Sequence, residues 1–154
     1  MNGGPAIVTD KDDAGTGPKK KIVVEKKKDD KEYYDALSLE GQGKFKEAQA
    51  IFQSLLESSE DAETKSNCTM ELGRCLYGLK QYDQCVKHFG AMVKALPEHP
   101  DIGDALFLVG QSYEQLNDKV KAKSVYDRIM QLGDKLNEDV GKKTKKALRA
   151  LGGA

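Results

Sequence analysis

The sequence predicts an all-α protein made of three antiparallel helix pairs and one final capping helix. Apolar residues recur at spacings of three and four from about residue 31 nearly to the end of the chain, which is the period of an amphipathic helix. No segment alternates strictly between apolar and polar residues, so no sheet is expected. The turns inside each predicted pair are only a few residues long, and such short connections make paired helices antiparallel.

The composition fits a thin helical array and excludes several classes of protein. Charged residues make up 32% of the chain and hydrophobic residues 38%, so each helix can keep one hydrated face. The formal net charge is zero, which provides no global field to attract nucleic acid or an anionic membrane. No apolar run is long enough to span a bilayer. We therefore expect neither nucleic-acid binding nor membrane insertion.

Residues 1–30 are predicted to be a disordered charged tail. Glycines, prolines and two lysine triplets dominate this segment and it has no aromatic residue, so it cannot bury enough apolar surface to offset the chain entropy lost on folding. The apolar run Ile22-Val23-Val24 interrupts the charges. We interpret it either as part of a solvated tail or as a short motif that adds as a strand to a partner's sheet.

Three units of the chain share one spacing of small and aromatic residues. In each unit, a small residue in the first helix is followed twelve positions later by a small residue in the second helix, and four positions after that by an aromatic residue. The small residues allow the two helices to approach closely, and the aromatic ring fills the gap to the next unit. The three sets, each 37 residues after the previous one, are Ala36, Ala48 and Phe52; Gly73, Cys85 and Phe89; and Gly110, Ala122 and Tyr126.

This spacing resembles the tetratricopeptide repeat (TPR), whose signature places L-G-x2-Y in the first helix and A-x3-F in the second. The pairs Leu72-Gly73 and Val109-Gly110 lie where that signature has Leu-Gly. The long connections, with Pro97 and Pro100, are similar to the TPR domain of the Tol–Pal accessory protein and related envelope-assembly proteins. The resemblance implies a right-handed α-solenoid of three TPR helix pairs plus a C-terminal capping helix. It covers residues 31–151, with repeats at about 31–60, 62–97 and 100–134 and the capping helix at 135–151.

No catalytic, cofactor-binding or metal-binding site is predicted. The three cysteines, Cys68, Cys75 and Cys85, form no CxxC pair, so free thiols in a reducing compartment are expected. Cys85 and His88 lie on one helical face and could form half of a zinc site, but Cys85 also occupies the small-residue packing position and no second pair lies nearby. No phosphate-binding loop or catalytic signature is present. We therefore expect a protein that is not an enzyme.

The predicted function is the binding of another protein or peptide segment in a concave groove. The resemblance implies that the first helices of the pairs line this groove, so their residues that do not face the second helices would contact the partner. Their apolar members would form a strip, with Arg74 near its centre pairing with an acidic residue of the partner. Alternatively, some of these residues pack between the first helices of the pairs or cover the tail. The predicted partner-binding residues are Tyr33, Leu37, Met70, Arg74, Tyr77, Phe107, Gln111 and Glu114.

Three roles are compatible with such a groove: an interaction scaffold or adaptor, a TPR-type secretion chaperone, or a structural subunit of a bacterial envelope or motility assembly. The last would self-associate through the repeat ends. The final helix has Lys142, Lys143, Lys145, Lys146 and Arg149 on its predicted outer face, either as a polar cap or as a docking face for an acidic partner. The N-terminus shows no secretory signal, whereas proteins of the Tol–Pal accessory group carry one. We therefore expect a cytoplasmic protein, or a periplasmic one if an export signal has been removed.

Overall fold

The computed structural model of the chain describes the backbone of residues 17–152 and the side chains of residues 26–152, and these residues form α-helices and no strand. The prediction of an all-α protein is confirmed. No helix among the described residues is both long and apolar enough to cross a membrane. The helices are α1 (Gly17–Gly41), α2 (Phe45–Ser58), α3 (Ala62–Gly78), α4 (Tyr82–Ala95), α5 (Ile102–Gln115), α6 (Lys119–Met130) and α7 (Glu138–Gly152), with a short 3₁₀ helix at Gly133–Lys135.

The chain divides into two compact units at a boundary inside α3. The first unit ends at Thr69 and contains α1, α2 and the first part of α3. The second unit begins at Met70 and contains the rest of α3 and helices α4–α7. Each unit is described separately below.

In the first unit, α1 packs against α2 through the small and aromatic residues that the sequence singled out. Ala36 of α1 and Ala48 and Phe52 of α2 are fully buried. The ring of Tyr33 meets the ring of Phe52 edge-on, with 5.6 Å between the ring centroids, which is a favourable arrangement for two aromatic groups. Ala36, Ala48 and Phe52 are therefore core residues of this unit, at the positions where the spacing predicted packing.

Helix α1 is longer than the sequence predicted. It begins at Gly17, so residues 17–30 are helical where a tail was expected. Two polar contacts join this early part of α1 to the connection between α2 and α3: the hydroxyl of Ser59 donates to the buried carboxylate of Asp29 at 2.6 Å, and the ammonium group of Lys26 lies 3.0 Å from a carboxylate oxygen of Asp61. Such contacts link residues far apart in sequence, so the local composition did not indicate them.

The longer helix also changes the interpretation of Ile22-Val23-Val24. These residues lie within α1, where the backbone hydrogen-bonding groups that strand addition would use are occupied by the helix. The strand-addition hypothesis is therefore wrong for this conformation of the chain. Residues 1–16 of the predicted tail lie outside the described residues.

The turns inside the three helix pairs repeat one backbone geometry at one spacing. Gly43, Lys80 and Asn117 have positive φ angles of 80°, 63° and 61°, and each lies 37 residues from the next. A residue in this left-handed conformation commonly ends a helix. The residue that follows it in each turn donates its N–H to the carbonyl five positions earlier, at 2.8–2.9 Å: Lys44 to Leu39, Gln81 to Leu76, and Asp118 to Tyr113. The 37-residue period is therefore a property of the backbone as well as of the side chains.

In the second unit, two glycines allow the close helix contacts that the spacing predicted. A Cβ atom at Gly73 would overlap the ring of Phe89, and one at Gly110 would overlap the ring of Tyr126. Both rings are fully buried, so neither has room to move away. Glycine is required at these positions by contact, although it is a poor helix former.

Candidate partner-binding surface

Two of the apolar residues predicted to line the groove are part of the core of the second unit instead. Met70 is fully buried and Phe107 is 7% exposed, and both belong to one apolar cluster with Phe89 and Tyr126. A partner cannot reach these two side chains without displacing their neighbours. The prediction of a continuous apolar strip is therefore wrong at Met70 and Phe107, because both side chains are buried in the core.

Phe107 is covered by a lysine that the sequence placed on an outer face. The ammonium group of Lys143 in α7 lies 4.6 Å from the centroid of the Phe107 ring, and 3.7 Å from a carboxylate oxygen of Asp104 in α5. A cation over an aromatic face and beside a carboxylate is held by both contacts. Lys143 therefore helps to dock α7 on α5, and the sequence pattern gave no signal of that role.

Arg74 already has a carboxylate partner on its own helix. Its Nε atom lies 3.2 Å from Oε1 of Glu71, whose side chain is only 13% exposed, whereas that of Arg74 is 34% exposed. The expected pairing of Arg74 with an acidic group of a partner protein would therefore compete with this internal ion pair.

The remaining predicted residues of the second unit, Tyr77, Gln111 and Glu114, are half-buried and keep part of their surface accessible. We call these three residues together with Arg74 the α3–α5 surface. It lies on α3 and α5, and its members have the same 37-residue spacing as the repeats: Arg74 corresponds to Gln111, and Tyr77 to Glu114. The accessible part of the predicted groove in this unit is thus more polar than the sequence suggested.

Tyr77 and Glu114 lie at one end of the α3–α5 surface, in an aromatic environment. The ring of Tyr77 packs edge-on against that of Tyr82, with 5.4 Å between centroids. Glu114 accepts a hydrogen bond from the hydroxyl of the buried Tyr126. Burial and the Glu114 bond raise the pKa of Tyr126 strongly, and burial, together with neighbouring charges that include Glu114, raises the pKa of Tyr77. Both phenols are therefore neutral at physiological pH.

In the first unit, Tyr33 and Leu37 are both half-buried. The Tyr33 ring contacts Phe52 and also meets Tyr34 edge-on, with 5.6 Å between centroids. Much of the Tyr33 surface therefore serves the packing of α1. Partner binding by Tyr33 and Leu37 stays a prediction for this unit.

Cys85 has the surroundings of a packing residue. Its side chain is fully buried, its Sγ atom lies 3.7 Å from the carbonyl oxygen of Gly73, and burial raises the pKa of its thiol. A thiol held in its protonated form is a poor nucleophile and a poor metal ligand. The His88 ring packs edge-on against Phe89. Across the described residues, no three His, Cys, Asp or Glu side chains come together as metal ligands would.

A cavity that the sequence did not reveal lies between the α4–α5 connection and the segment before α7. Its volume is about 190 Å³. An ion pair between Glu98 and Lys135, with 3.3 Å between nitrogen and oxygen, joins its two sides. Only the tertiary structure brings these segments together, because they are separated by the whole α5–α6 pair. Its lining residues are Pro97, Glu98, His99, Pro100, Ile102, Gly103, Leu132 and Lys135.

The sequence of residues 104–132 matches a family model described as a tetratricopeptide repeat. This segment contains most of α5 and all of α6, which form the third helix pair. A search of curated proteins found no match to the chain.

Three solved structures are similar to most of the chain. PcrH from Pseudomonas aeruginosa superposes with a TM-score of 0.70 at 20% identity, covering 81% of this chain and 92% of PcrH. The Yersinia enterocolitica type III secretion chaperone SycD, solved with a peptide of the translocator YopD, gives 0.67 at 19% identity, covering 79% and 90%. A TPR-like protein from Chlorobium tepidum gives 0.67 at 15% identity, covering 86% and 99%. The TPR-like fold is therefore confirmed.

Proposed function

We propose that this protein is a non-enzymatic interaction module that binds a segment of a partner protein at the first helices of its repeats. The observation that carries the proposal is the α3–α5 surface, where polar and aromatic side chains on two neighbouring repeats remain accessible beside a tightly packed core. Tyrosine and arginine are common among the residues that dominate binding at protein interfaces. Tyr77 and Arg74 supply both kinds of side chain here.

Within this function, a secretion chaperone is the more specific candidate, and the structural likeness favours it. PcrH has been solved with the chaperone binding regions of PopD and of PopB, and SycD with a peptide of YopD. Each of these proteins is matched over about nine tenths or more of its length. By analogy, the partner would be a segment of a protein that a secretion system exports.

A structural role in a bacterial envelope or motility assembly is the remaining candidate. It rests only on the resemblance in sequence of the long connections, with Pro97 and Pro100, to the Tol–Pal accessory group. Such a subunit would self-associate through its repeat ends, so its mass in solution would rise with protein concentration. Light scattering over a range of concentrations measures this directly, and a constant monomer mass would exclude the assembly role.

The proposed function is tested by affinity capture from the native cell extract with a surface variant. The double variant Tyr77→Ala/Gln111→Ala changes two accessible side chains of the α3–α5 surface and leaves the buried Met70 and Phe107 intact. The matched control is Val120→Ala, because Val120 is 81% exposed and lies on α6, outside the α3–α5 surface. Circular dichroism must show that both variants are folded.

We expect one captured protein to be lost with the double variant and retained with Val120→Ala. If wild type and double variant capture the same proteins, the α3–α5 surface is not the binding site. A pulse-chase experiment then addresses the chaperone role: the captured protein should be degraded faster in cells that lack this chain. An unchanged half-life would leave an adaptor and exclude a chaperone.

A further inference from the structure

The α3–α5 surface has two charged residues, Arg74 and Glu114. The carboxylate of Glu114 has no cationic partner among residues 26–152. Its hydrogen bond comes from the neutral hydroxyl of Tyr126, and no lysine, arginine or histidine side chain of this range pairs with it. Other charged groups of α3 and α5 have ion-pair partners: Arg74 pairs with Glu71, and Asp104 pairs with Lys143. The negative charge of Glu114 is therefore not compensated within the described part of the chain.

The hydrogen bond with Tyr126 also fixes the position of this carboxylate. Tyr126 is fully buried and its ring is tilted against that of Phe107, with 5.5 Å between centroids. The hydroxyl of this buried ring holds one oxygen of the half-buried Glu114, and the other oxygen has no hydrogen-bond partner among residues 26–152. A carboxylate that is already oriented binds a partner with little further loss of side-chain entropy.

Tyr77 of α3 lies within electrostatic range of this carboxylate. The charge of Glu114 contributes to the raised pKa of Tyr77, which is the residue at the corresponding position of the preceding repeat. Tyr77 in turn packs on Tyr82 at the start of α4. A carboxylate held by a hydrogen bond, with a half-buried tyrosine on the neighbouring repeat, is a combination that favours a cation, through charge pairing and through attraction to the ring face.

We propose that Glu114 and Tyr77 bind a basic side chain, an arginine or a lysine, of the partner segment. This inference rests on the proposed function and specifies that the partner segment carries a positive charge where it meets Glu114. Arginine fits better than lysine, because its planar guanidinium can pair with the free carboxylate oxygen while it stacks on a tyrosine ring. An acidic side chain at this point would be repelled by Glu114.

The experiment starts from a random-peptide phage library selected on immobilised wild-type protein. Peptides that lose binding to the Tyr77→Ala/Gln111→Ala variant define the sequences recognised by the α3–α5 surface. We expect one position of these peptides to be enriched in arginine and, less strongly, in lysine. A synthetic peptide from this set is then measured by isothermal titration calorimetry, together with the same peptide carrying glutamine at the basic position.

The protein variant Glu114→Gln removes the charge and keeps an oxygen that can accept from Tyr126. It should weaken binding of the basic peptide roughly tenfold and leave the glutamine peptide unaffected. Asp83→Asn is the matched control, because it removes one negative charge from an exposed position on α4. The charge-reversed protein Glu114→Lys should prefer a peptide with glutamate at the basic position.

Each outcome decides one of the two proposals. Selected peptides without a basic position, or equal affinity of wild type and Glu114→Gln for the basic peptide, overturn the role of Glu114 while peptide binding stands. If the library yields no peptide that depends on the α3–α5 surface, the proposed function fails and this inference fails with it. The peptide substitution tests the contact even if a protein variant proves unstable.

Discussion

The second and third helix pairs use the same contact between a glycine and an aromatic ring, and they differ by one hydroxyl group. In the second pair Gly73 faces the ring of Phe89, and in the third Gly110 faces the ring of Tyr126. The Tyr126 hydroxyl is buried and requires an acceptor, which Glu114 provides. Phe89 requires none, and the position that corresponds to Glu114 is occupied by Tyr77.

This difference shows how a repeat can hold its fold constant while its surface changes. The small residue and the ring determine how closely two helices pack, and both pairs keep that arrangement. In the third pair, the buried hydroxyl of Tyr126 needs a hydrogen-bond acceptor, and Glu114 at the edge of the accessible surface provides it. Glu114 therefore has a structural reason to be present, and its charge on the α3–α5 surface is a consequence that binding can use.

The largest effect is expected from removing either ring. Phe89→Ala and Tyr126→Ala should each lower the free energy of unfolding by about 3–5 kcal/mol, because each leaves a cavity in the core of the second unit. Tyr34→Ala is the control, since its ring is 64% exposed and should contribute within about 0.5 kcal/mol. Urea unfolding followed by circular dichroism measures the difference. Equal losses of unfolding free energy for Tyr34→Ala and the two core variants would contradict the role of Phe89 and Tyr126 in the core.

The glycines of the two pairs provide the next test. Gly73→Ala and Gly110→Ala should each lower stability by about 1–3 kcal/mol, because the added methyl group overlaps a buried ring. Gly90→Ala places the same methyl group in α4, where no atom lies within 4 Å, and should raise stability by about 0.5–1 kcal/mol through helix propensity. Stabilisation by all three substitutions would mean that the close contacts do not constrain these positions.

Exchanging the hydroxyl groups tests the difference between the pairs directly. Phe89→Tyr should lower stability by about 1–3 kcal/mol, because the new hydroxyl has no carboxylate at position 77 to accept its hydrogen bond. Adding Tyr77→Glu should recover part of this loss by recreating the arrangement of the third pair. Tyr126→Phe should lower stability by about 0.5–1.5 kcal/mol. A double-mutant cycle at positions 77 and 89 that shows no coupling would contradict this account.

The smallest expected effect lies in the turns, where the pairs differ in the residue with positive φ. Lys80→Gly should raise stability by about 0.5–1 kcal/mol, because a lysine side chain is strained in the left-handed conformation. Asn117→Gly should give a smaller gain, since asparagine tolerates this conformation better. Thermal unfolding of the two variants side by side measures the order of the gains, and a larger gain at Asn117 would reverse our interpretation.

The sequence determined most of the fold and part of the candidate surface. The helices from α2 onward follow from the period of the apolar residues, and the small and aromatic residues that pack the pairs follow from the 37-residue spacing. The start of α1 did not follow, because the contacts of Asp29 and Lys26 with the α2–α3 connection join distant parts of the chain. Helical period alone also could not distinguish a buried residue on the first helices from an accessible one.

What the sequence by itself determined, then, is which residues recur and therefore which helices pair, because periodicity records local geometry. The tertiary structure decided which of the predicted surface residues are exposed: it buried Met70 and Phe107, brought Lys143 over the Phe107 ring, and left Glu114 fixed but without a cationic partner among the described residues. The exposure and the charge pairing of a side chain depend on groups from several helices, and these groups come into contact only when the helices pack.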